Sequence, residues 1–199
     1  MGKVYSDIAV SLDGFAAGVN QREEKPLGEI DENWLHGWMF ETPDENRAEI
    51  DAIVDSGATI MGRNMFGPVR GEWDRDWRGW WGSNPPYHGP VFVLTHFAHD
   101  AIEMEGGTTF HFVTDGIDSA LEQARAAAGD RDISIAGGAS TVNQYLAAGL
   151  LDELRLHVTP CILGAGERVF AGVPAQQLEL VSVRPASRVT HLTYRSPRP

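Results

Sequence analysis

The sequence predicts an α/β fold with a mostly parallel central sheet flanked by helices. The first observation behind it is a set of short apolar runs, which are typical of parallel strands buried on both faces. These runs lie at 58–61, 90–95 and 110–113. The second is that amphipathic helical segments separate the runs; the clearest, 117–128, has Leu121 and Ala124 on its inward face. Strands that alternate with helices along the chain indicate parallel pairing.

The C-terminal third supplies the third observation, because its apolar residues alternate with polar ones. Such alternation is typical of antiparallel strands that are covered on one face only. The alternating segments are 154–159, 178–184 and 188–194. The last two flank Pro185-Ala186 and predict a terminal hairpin, so we expect the sheet to end in an antiparallel C-terminal edge.

The N-terminal part begins with a strand and continues through irregular chain. Residues 3–12 form the predicted strand, which the turn signal Asp13-Gly14 closes. Large apolar residues at helical spacing across 34–40 predict a short helix within the irregular stretch 15–42. Further on, the Gly-, Pro- and Trp-rich residues 67–90 predict a long loop, which either closes over a ligand or packs on a partner.

A second helix is predicted just before the apolar run 58–61. Thr42 is its expected cap, because Pro43 and two acidic residues follow as in a first helical turn. The helix runs to about Ser56, and Gly57 ends it. Its predicted inward residues are Ala48, Ile50 (or Ile53) and Val54.

Composition limits the classes of function. The 199 residues suit one domain, 1–199, with a sizeable core. A net charge of −12 disfavours nucleic-acid binding and docking on an anionic membrane, since both need a positive field. The single cysteine excludes an intramolecular disulfide, the seven histidines lack the paired spacing of a metal site, and no apolar run approaches the ~20 residues of a membrane span. We therefore expect a cytoplasmic protein.

A glycine pair ends the short β-rich run at 133–136. Gly137-Gly138 follow this run, and Ala139, Ser140 and Thr141 then open a helix. A helix N-terminus offers backbone N–H groups and a positive dipole, and glycines let a phosphate approach them closely. The junction therefore predicts a phosphate site, although a tight strand-to-helix turn capped by Ser140 or Thr141 fits the same residues.

Two more predicted strands end in residues that suit an anion. Gly62-Arg63-Asn64 follows one strand, and Leu94-Thr95-His96 ends the next. The planar fork of an arginine grips phosphate, and Thr and His can donate hydrogen bonds to it. Alone, Arg63 fits a surface ion pair and Thr95 an ordinary loop start. Because ligands collect at the carboxyl ends of such strands, the three sites together predict one extended phosphorylated ligand.

These motifs resemble the dihydrofolate reductase-like superfamily. The most similar branch is the one related to the C-terminal reductase domain of the bifunctional deaminase-reductase of bacterial riboflavin biosynthesis. The shared segments are SLDGF, IMGRNMF, VLTH, IAGGASTVNQYL and, at 158–170, VTPCILGAGERVF. They occur in family order over nearly the whole chain, and the last two together are the most specific.

The resemblance implies a mostly parallel eight-stranded sheet with NADPH bound along its C-terminal edge. It places the pyrophosphate at Gly137–Thr141, the adenosine 2′-phosphate at Arg63, Thr95 and His96, and the nicotinamide near the Ser11–Gly14 loop. The implied cofactor-binding residues are Ala9, Val10, Gly62, Arg63, Asn64, Leu94, Thr95, His96, Ala136, Gly137, Gly138, Ala139, Ser140 and Thr141. Because relatives often form homodimers, we also expect a homodimer.

The chain departs from the family in its acids. Ala136 stands where riboflavin-pathway reductases carry a substrate-binding acid, and no basic cluster suits a ribose phosphate, which argues against the riboflavin-pathway substrate itself. Dihydrofolate reductases place a proton-donating acid early in the helix before the MGR strand; here Asn46 aligns with it, next to Asp44-Glu45. The candidate catalytic residues are Asp13 and Asp44, with a bound water as the other proton source. First-turn acids that only stabilise the helix dipole are the alternative at 44–45.

The sequence thus predicts an NADPH-dependent reductase of a small heterocyclic or conjugated substrate, pterin- or pyrimidine-like. Its small-molecule substrate would accept hydride from the nicotinamide in a dry pocket. The alternative is a non-catalytic NADP(H)- or metabolite-binding sensor on the same fold, which the absence of a clear proton donor favours.

Overall fold

The computed structural model describes residues 2–196 and contains one large sheet and one small one. The helices are α1 Asn33–Phe40, α2 Arg47–Val54, α3 Arg63–Phe66, α4 Gly116–Ala128 and α5 Ala139–Ala147. The strands are β1 Val4–Ser11, β2 Phe15–Ala17, β3 Ala58–Gly62, β4 Pro90–Leu94, β5 Ile102–Glu103, β6 Thr109–Val113, β7 Ile133–Gly137, β8 Glu153–Thr159, β9 Glu167–Arg168, β10 Glu179–Pro185 and β11 Thr190–Arg195.

The large sheet confirms the predicted fold class. Its strand order is β10-β11-β8-β1-β7-β3-β4-β6-β5, and the six strands from β8 to β6 pair in parallel. The terminal hairpin of β10 and β11 pairs antiparallel to β8, as the alternating segments predicted. The sheet has nine strands rather than the implied eight, because the two-residue β5 adds antiparallel to β6.

Helices cover the sheet on both faces and define its core. The main core lies between the sheet and the pair α4 and α5, where Leu121, Ala124 and Tyr145 are buried against Ile8 and Ile135. The helices α1 and α2 lie on the opposite face, where Tyr5 Oη donates to the Ala52 carbonyl oxygen at 3.1 Å and Trp38 packs on His157. Burial on both faces accounts for the continuous apolar runs of the central strands.

The start of α2 differs from the sequence prediction. Thr42 does not cap this helix: its hydroxyl donates backwards to the Trp38 carbonyl oxygen at 3.2 Å. The buried Asn46 also bonds carbonyls of the preceding segment, so residues 41–46 form turns and the helix begins at Arg47. No residue of α2 is fully buried; Ala48 is exposed, so the prediction that it faces inward was wrong.

The Trp-rich loop 67–90 packs on this chain. Trp73, Trp77 and Trp81 lie against a second apolar cluster that contains Phe66 and Phe110, at the β4–β6 side of the sheet. The Trp77 indole N–H donates to the Phe66 carbonyl oxygen at 2.9 Å. A Cβ on Gly67 would lie 2.3 Å from the Trp77 indole nitrogen, so this close approach requires glycine.

Candidate active site

A cleft of about 810 Å³ opens at the carboxyl ends of β3, β4 and β7 and extends beneath α1 and α2. It contains all but one of the cofactor-binding residues that the resemblance implied. Those that line it are Ala9, Gly62, Arg63, Asn64, Leu94, Thr95, His96, Ala136, Gly137, Gly138, Ala139, Ser140 and Thr141. Val10 does not line the cleft; it is buried in the main core.

The glycine junction presents backbone to the cleft. Gly137 has a φ of 125°, which favours glycine, and α5 begins two residues later. A Cβ on Gly138 would meet no protein atom within 4 Å, so the chain leaves open space above this residue. The amides of α5 that precede Thr141 have no intrahelical acceptor and carry the positive end of the dipole. The junction can therefore hold an anion at backbone distance.

Close packing fixes the junction against β3. A Cβ on Gly62 would lie 2.4 Å from the Thr141 hydroxyl oxygen, so only glycine lets α5 approach the end of β3. The Thr141 amide donates to the Gly138 carbonyl oxygen at 3.0 Å, while Ser140 is exposed on the first turn. The strand end, the glycine pair and the helix thus form one rigid wall of the cleft.

Arg63 carries a charge that no carboxylate of residues 2–196 neutralises through an ion pair. Its guanidinium stacks 3.4 Å from the Trp73 ring centroid and donates to the Thr95 hydroxyl at 2.9 Å and the Gly71 carbonyl at 2.8 Å. Its Nε is buried and has no partner in the described chain. Burial, and secondarily the nearby Arg70, lowers the pKa of this guanidinium. An unneutralised, half-buried arginine suits an anionic ligand.

Thr95 and His96 follow the strand next to Arg63 and differ in burial, since Thr95 is buried and His96 is exposed. The Thr95 hydroxyl accepts from Arg63 and from the Phe97 amide at 3.1 Å, so it orients the guanidinium. His96 is exposed at the rim of the cleft, where its ring can reach a bound group.

The two candidate catalytic acids both lie outside the cleft lining. The Asp13 carboxylate accepts hydrogen bonds from the Ser11 hydroxyl at 2.7 Å and from the Leu163 and Gly164 amides at 3.0 and 2.7 Å. These bonds, the Ser11 bond foremost, lower the pKa of Asp13 to about 2, so it is ionised and has no proton to give. Asp44 is exposed and pairs with Arg47 at 2.8 Å. The geometry gives both acids structural contacts only.

We therefore expect Asp13→Asn to affect stability in a pH-dependent way. The folded pKa of about 2 lies below the ordinary 3.8, so the ionised group stabilises the fold above about pH 4 and this contribution is lost as the pH falls towards 2. The variant should melt below the wild type at pH 7, with a difference that shrinks by pH 2.5. Thermal melts at both pH values, with Asp44→Asn as the exposed-acid control, measure it; a pH-independent difference would contradict this account.

Sequence reasoning missed several titratable groups that line the cleft. Three of them, Asp7, His36 and His157, lie on the side of the sheet that α1 and α2 cover, and Glu32 and Glu167 line the cleft as well. Asp7 and His157 each have a side chain 3% exposed, and Asp7 Oδ1 lies 3.2 Å from His157 Nε2. Burial, and secondarily the charge of His157, lowers the pKa of His36 to about 4. The sequence held one signal for this group of residues: the charged Asp7 lies in the middle of the mostly apolar strand β1.

The α1 and α2 end of the cleft is mostly apolar. Met39, Phe40, Ile53 and Val54 line this end, and Trp80 and Tyr87 of the Trp-rich loop line the cleft as well. The only Arg or Lys side chains among the described lining residues are Arg63 and Arg70. The Arg70 guanidinium donates to the Gly67 carbonyl oxygen, just after α3, and not to a residue of α1 or α2.

Among residues 2–196, no helix is both long and apolar enough to cross a bilayer. No group of three or more His, Cys, Asp or Glu side chains there is arranged to hold a metal ion.

Comparisons with known proteins agree with the fold. The protein YyaP of Bacillus subtilis (strain 168) is 26% identical over 96% of this chain and 94% of its own. A putative riboflavin biosynthesis protein of Shewanella sp. PV-4 superposes with a TM-score of 0.63 at 20% identity, covering 98% of this chain and 99% of that one. Dihydrofolate reductase of Enterococcus faecalis, solved with NADP(H), superposes with a TM-score of 0.60 at 14% identity, covering 99% and 98%. The model of the RibD C-terminal domain matches residues 2–192, and the chain therefore belongs to that reductase-related family.

Proposed function

We propose that this protein is an NADPH-dependent reductase of a small heterocyclic or conjugated substrate. The observation that carries the proposal is one cleft that joins two anion sites to a mostly apolar pocket. The glycine junction at the start of α5 and the unneutralised Arg63 lie along its sheet edge, and the α1 and α2 wall forms its other end.

The residues present fit a dinucleotide phosphate. Gly137–Thr141 would hold the pyrophosphate through backbone amides at the N-terminus of α5. The phosphate would occupy the open space beside Gly138, where any other residue would place its side chain. Arg63 would hold the adenosine 2′-phosphate with the hydrogens of its terminal nitrogens that its bonds to Thr95 and Gly71 leave over, and His96 would reach the same group. A charged fork at this point favours NADPH over NADH. The bound cofactor would supply hydride from C4 of its nicotinamide.

The substrate end favours a flat molecule without a phosphate group. Its lining is mostly apolar; Asp7, His36 and His157 are titratable groups there, Glu32 lies just before α1, and neither Arg nor Lys lines that wall. A carboxylate and an imidazole can bond the ring N–H and nitrogen atoms of a pterin or pyrimidine. A ribose phosphate would find no cationic side chain at this wall. The sequence also argues against such a substrate, because Ala136 replaces the family's substrate-binding acid and no basic cluster is present.

A labelled hydride tests the activity. The purified protein is incubated with NADPH that carries deuterium at C4 and with a panel of pterins, aminouracils and conjugated ketones, and the products are weighed by mass spectrometry. Deuterium on carbon of one panel member, with NADP⁺ formed in equal amount, supports a reductase. Tight NADPH binding without transfer to any panel member would favour the sensor alternative.

A further inference from the structure

A continuous polar path leads from the cleft to the surface along the sheet face that α1 and α2 cover. Asp7 Oδ1 lies 3.2 Å from His157 Nε2, and His157 Nδ1 lies 2.7 Å from His191 Nδ1. His191 Nε2 lies 2.9 Å from Asn46 Oδ1, which also accepts from the half-exposed Arg184 at 3.0 Å. Asp7, His157 and His191 are buried, so each contact needs a well-placed hydrogen.

Hydrogen-bond direction along this path is fixed at its Asn46 end. The Asn46 amide nitrogen donates to the Trp38 and Thr42 carbonyl oxygens at 3.1 and 2.9 Å, so its Oδ1 is the acceptor. His191 must therefore carry a hydrogen on Nε2 and donate it to this oxygen. The orientation of Asn46 thus selects the protonated nitrogen of His191.

Counting hydrogens shows that the path holds one extra proton. Three hydrogen bonds join Asn46, His191, His157 and Asp7, and each needs one hydrogen. Two neutral imidazoles supply only two, and a carboxylate supplies none. The third hydrogen must be an additional proton. With this proton, the net charge of the carboxylate and the two imidazoles together is zero.

The surroundings place this proton at the cleft end. Burial, and secondarily the charge of His157, lowers the pKa of His191 to about 4, so His191 stays neutral and accepts from His157 on Nδ1. The proton then lies between His157 Nε2 and Asp7 Oδ1, both of which line the cleft. Trp38 packs 4.7 Å from the His157 ring, where its π face favours a cation.

Several charged or titratable groups face the Asp7–His157 pair. Arg155 of β8 donates to Asp7 Oδ2 at 3.3 Å and favours a carboxylate partnered by a cationic imidazole. Tyr5 of β1 and His36 of α1 are the neutral neighbours. Glu49 of α2 and Arg184 of β10 pair with each other next to Asn46 and largely cancel.

We propose that Asp7 and His157 share one transferable proton and donate it to the substrate during reduction. This proposal rests on the proposed reductase function. Bound NADPH would supply the hydride for a new C–H bond at the substrate carbon, whose C=N or C=O π bond would break, and NADP⁺ would be the oxidised product. The proton from the pair forms the N–H or O–H bond, and the pair regains a proton from solvent after release.

Histidine NMR of the cofactor-free protein tests the shared proton directly. Protein labelled with ¹⁵N-histidine and ¹³C-aspartate is recorded at pH 7, with peaks assigned from the His157→Gln and His191→Gln variants. We expect a neutral Nε2–H tautomer for His191, and either a cationic His157 or a protonated Asp7. A neutral His157 together with an ionised Asp7 would overturn the proposal, whatever the protein does with NADPH.

Kinetics of Asp7→Asn then test the donor role, once the panel has given a substrate. Loss of a positioned proton donor should slow hydride transfer about 10²–10⁴-fold. NADPH affinity should change less than about threefold, because Asp7 lies at the substrate wall. His111→Gln, a histidine on β6 that packs on Phe92 outside the cleft lining, is the matched control. An Asp7→Asn variant that transfers hydride at the wild-type rate would refute the donor role. Failure of both the wild type and the Asp7→Asn variant to bind NADPH would instead refute the reductase proposal.

Discussion

Gly138→Val is expected to weaken NADPH binding by about 100-fold or more while the fold stays intact, a loss of about 2.7 kcal/mol of binding free energy. The backbone at this position has φ −69° and ψ −168°, an extended conformation that does not itself require glycine. A Cβ there would meet no protein atom within 4 Å, so folding costs little. The new side chain would occupy the space where the pyrophosphate approaches the α5 amides. Calorimetric titration with NADPH measures the effect.

Gly89→Ala is the matched control for this variant. A Cβ at that position meets only ordinary contacts, the nearest being the Tyr87 carbonyl oxygen at 3.7 Å, and Gly89 does not line the cleft. The control should bind NADPH as the wild type does. If Gly138→Val binds NADPH with wild-type affinity, the glycine junction is an ordinary tight turn and the cofactor placement fails.

Arg63→Ala is expected to remove the preference for NADPH. A bidentate arginine–phosphate contact contributes about 2–3 kcal/mol, so NADPH affinity should fall about 30- to 150-fold. NADH lacks the 2′-phosphate, and its affinity should change less than about threefold. The ratio of the two dissociation constants isolates the phosphate contact from any general damage to the cleft.

Two comparisons control for the structural contacts of Arg63. Its stacking on Trp73 contributes to stability, so thermal melts of each variant accompany the titrations. Arg75→Ala removes the same charge from the Trp-rich loop that follows α3, where Arg75 pairs with Asp74 and Glu23 outside the cleft. Arg75→Ala should keep the NADPH preference. An equal loss for NADPH and NADH in Arg63→Ala would show that the arginine supports the loop rather than the phosphate.

Sequence patterns predicted the sheet, and the meeting of the glycine junction with Arg63 and Thr95 at one edge of it, because both depend on local chemistry. Apolar runs mark strands that are buried on both faces, and the turn at Gly137-Gly138 requires a residue that tolerates a φ of 125°. Since parallel strands end at one edge, residues far apart in sequence, such as Arg63 and Thr95, could be expected to meet there.

The acids were harder to predict because their roles depend on distant partners. Asp13 follows a strand that ends at the cleft, yet the Leu163 and Gly164 amides turn its carboxylate into a loop anchor. Asn46 prevents the helix from beginning at the predicted residue, because its side chain is hydrogen-bonded both to the Trp38 carbonyl oxygen of α1 and to the His191 ring. The pairing of Asp7 with His157 spans 150 positions, and only the register of β1 on β8 brings them together.

Calorimetric titration of the wild-type protein with NADPH and with NADH, in one buffer, tests the central claim most directly. An unneutralised Arg63 and an open glycine junction predict one NADPH site per chain, with NADPH bound at least about tenfold more tightly than NADH, a difference of about 1.4 kcal/mol. No binding of either nucleotide, or equal affinity for both, would contradict the account of the cleft.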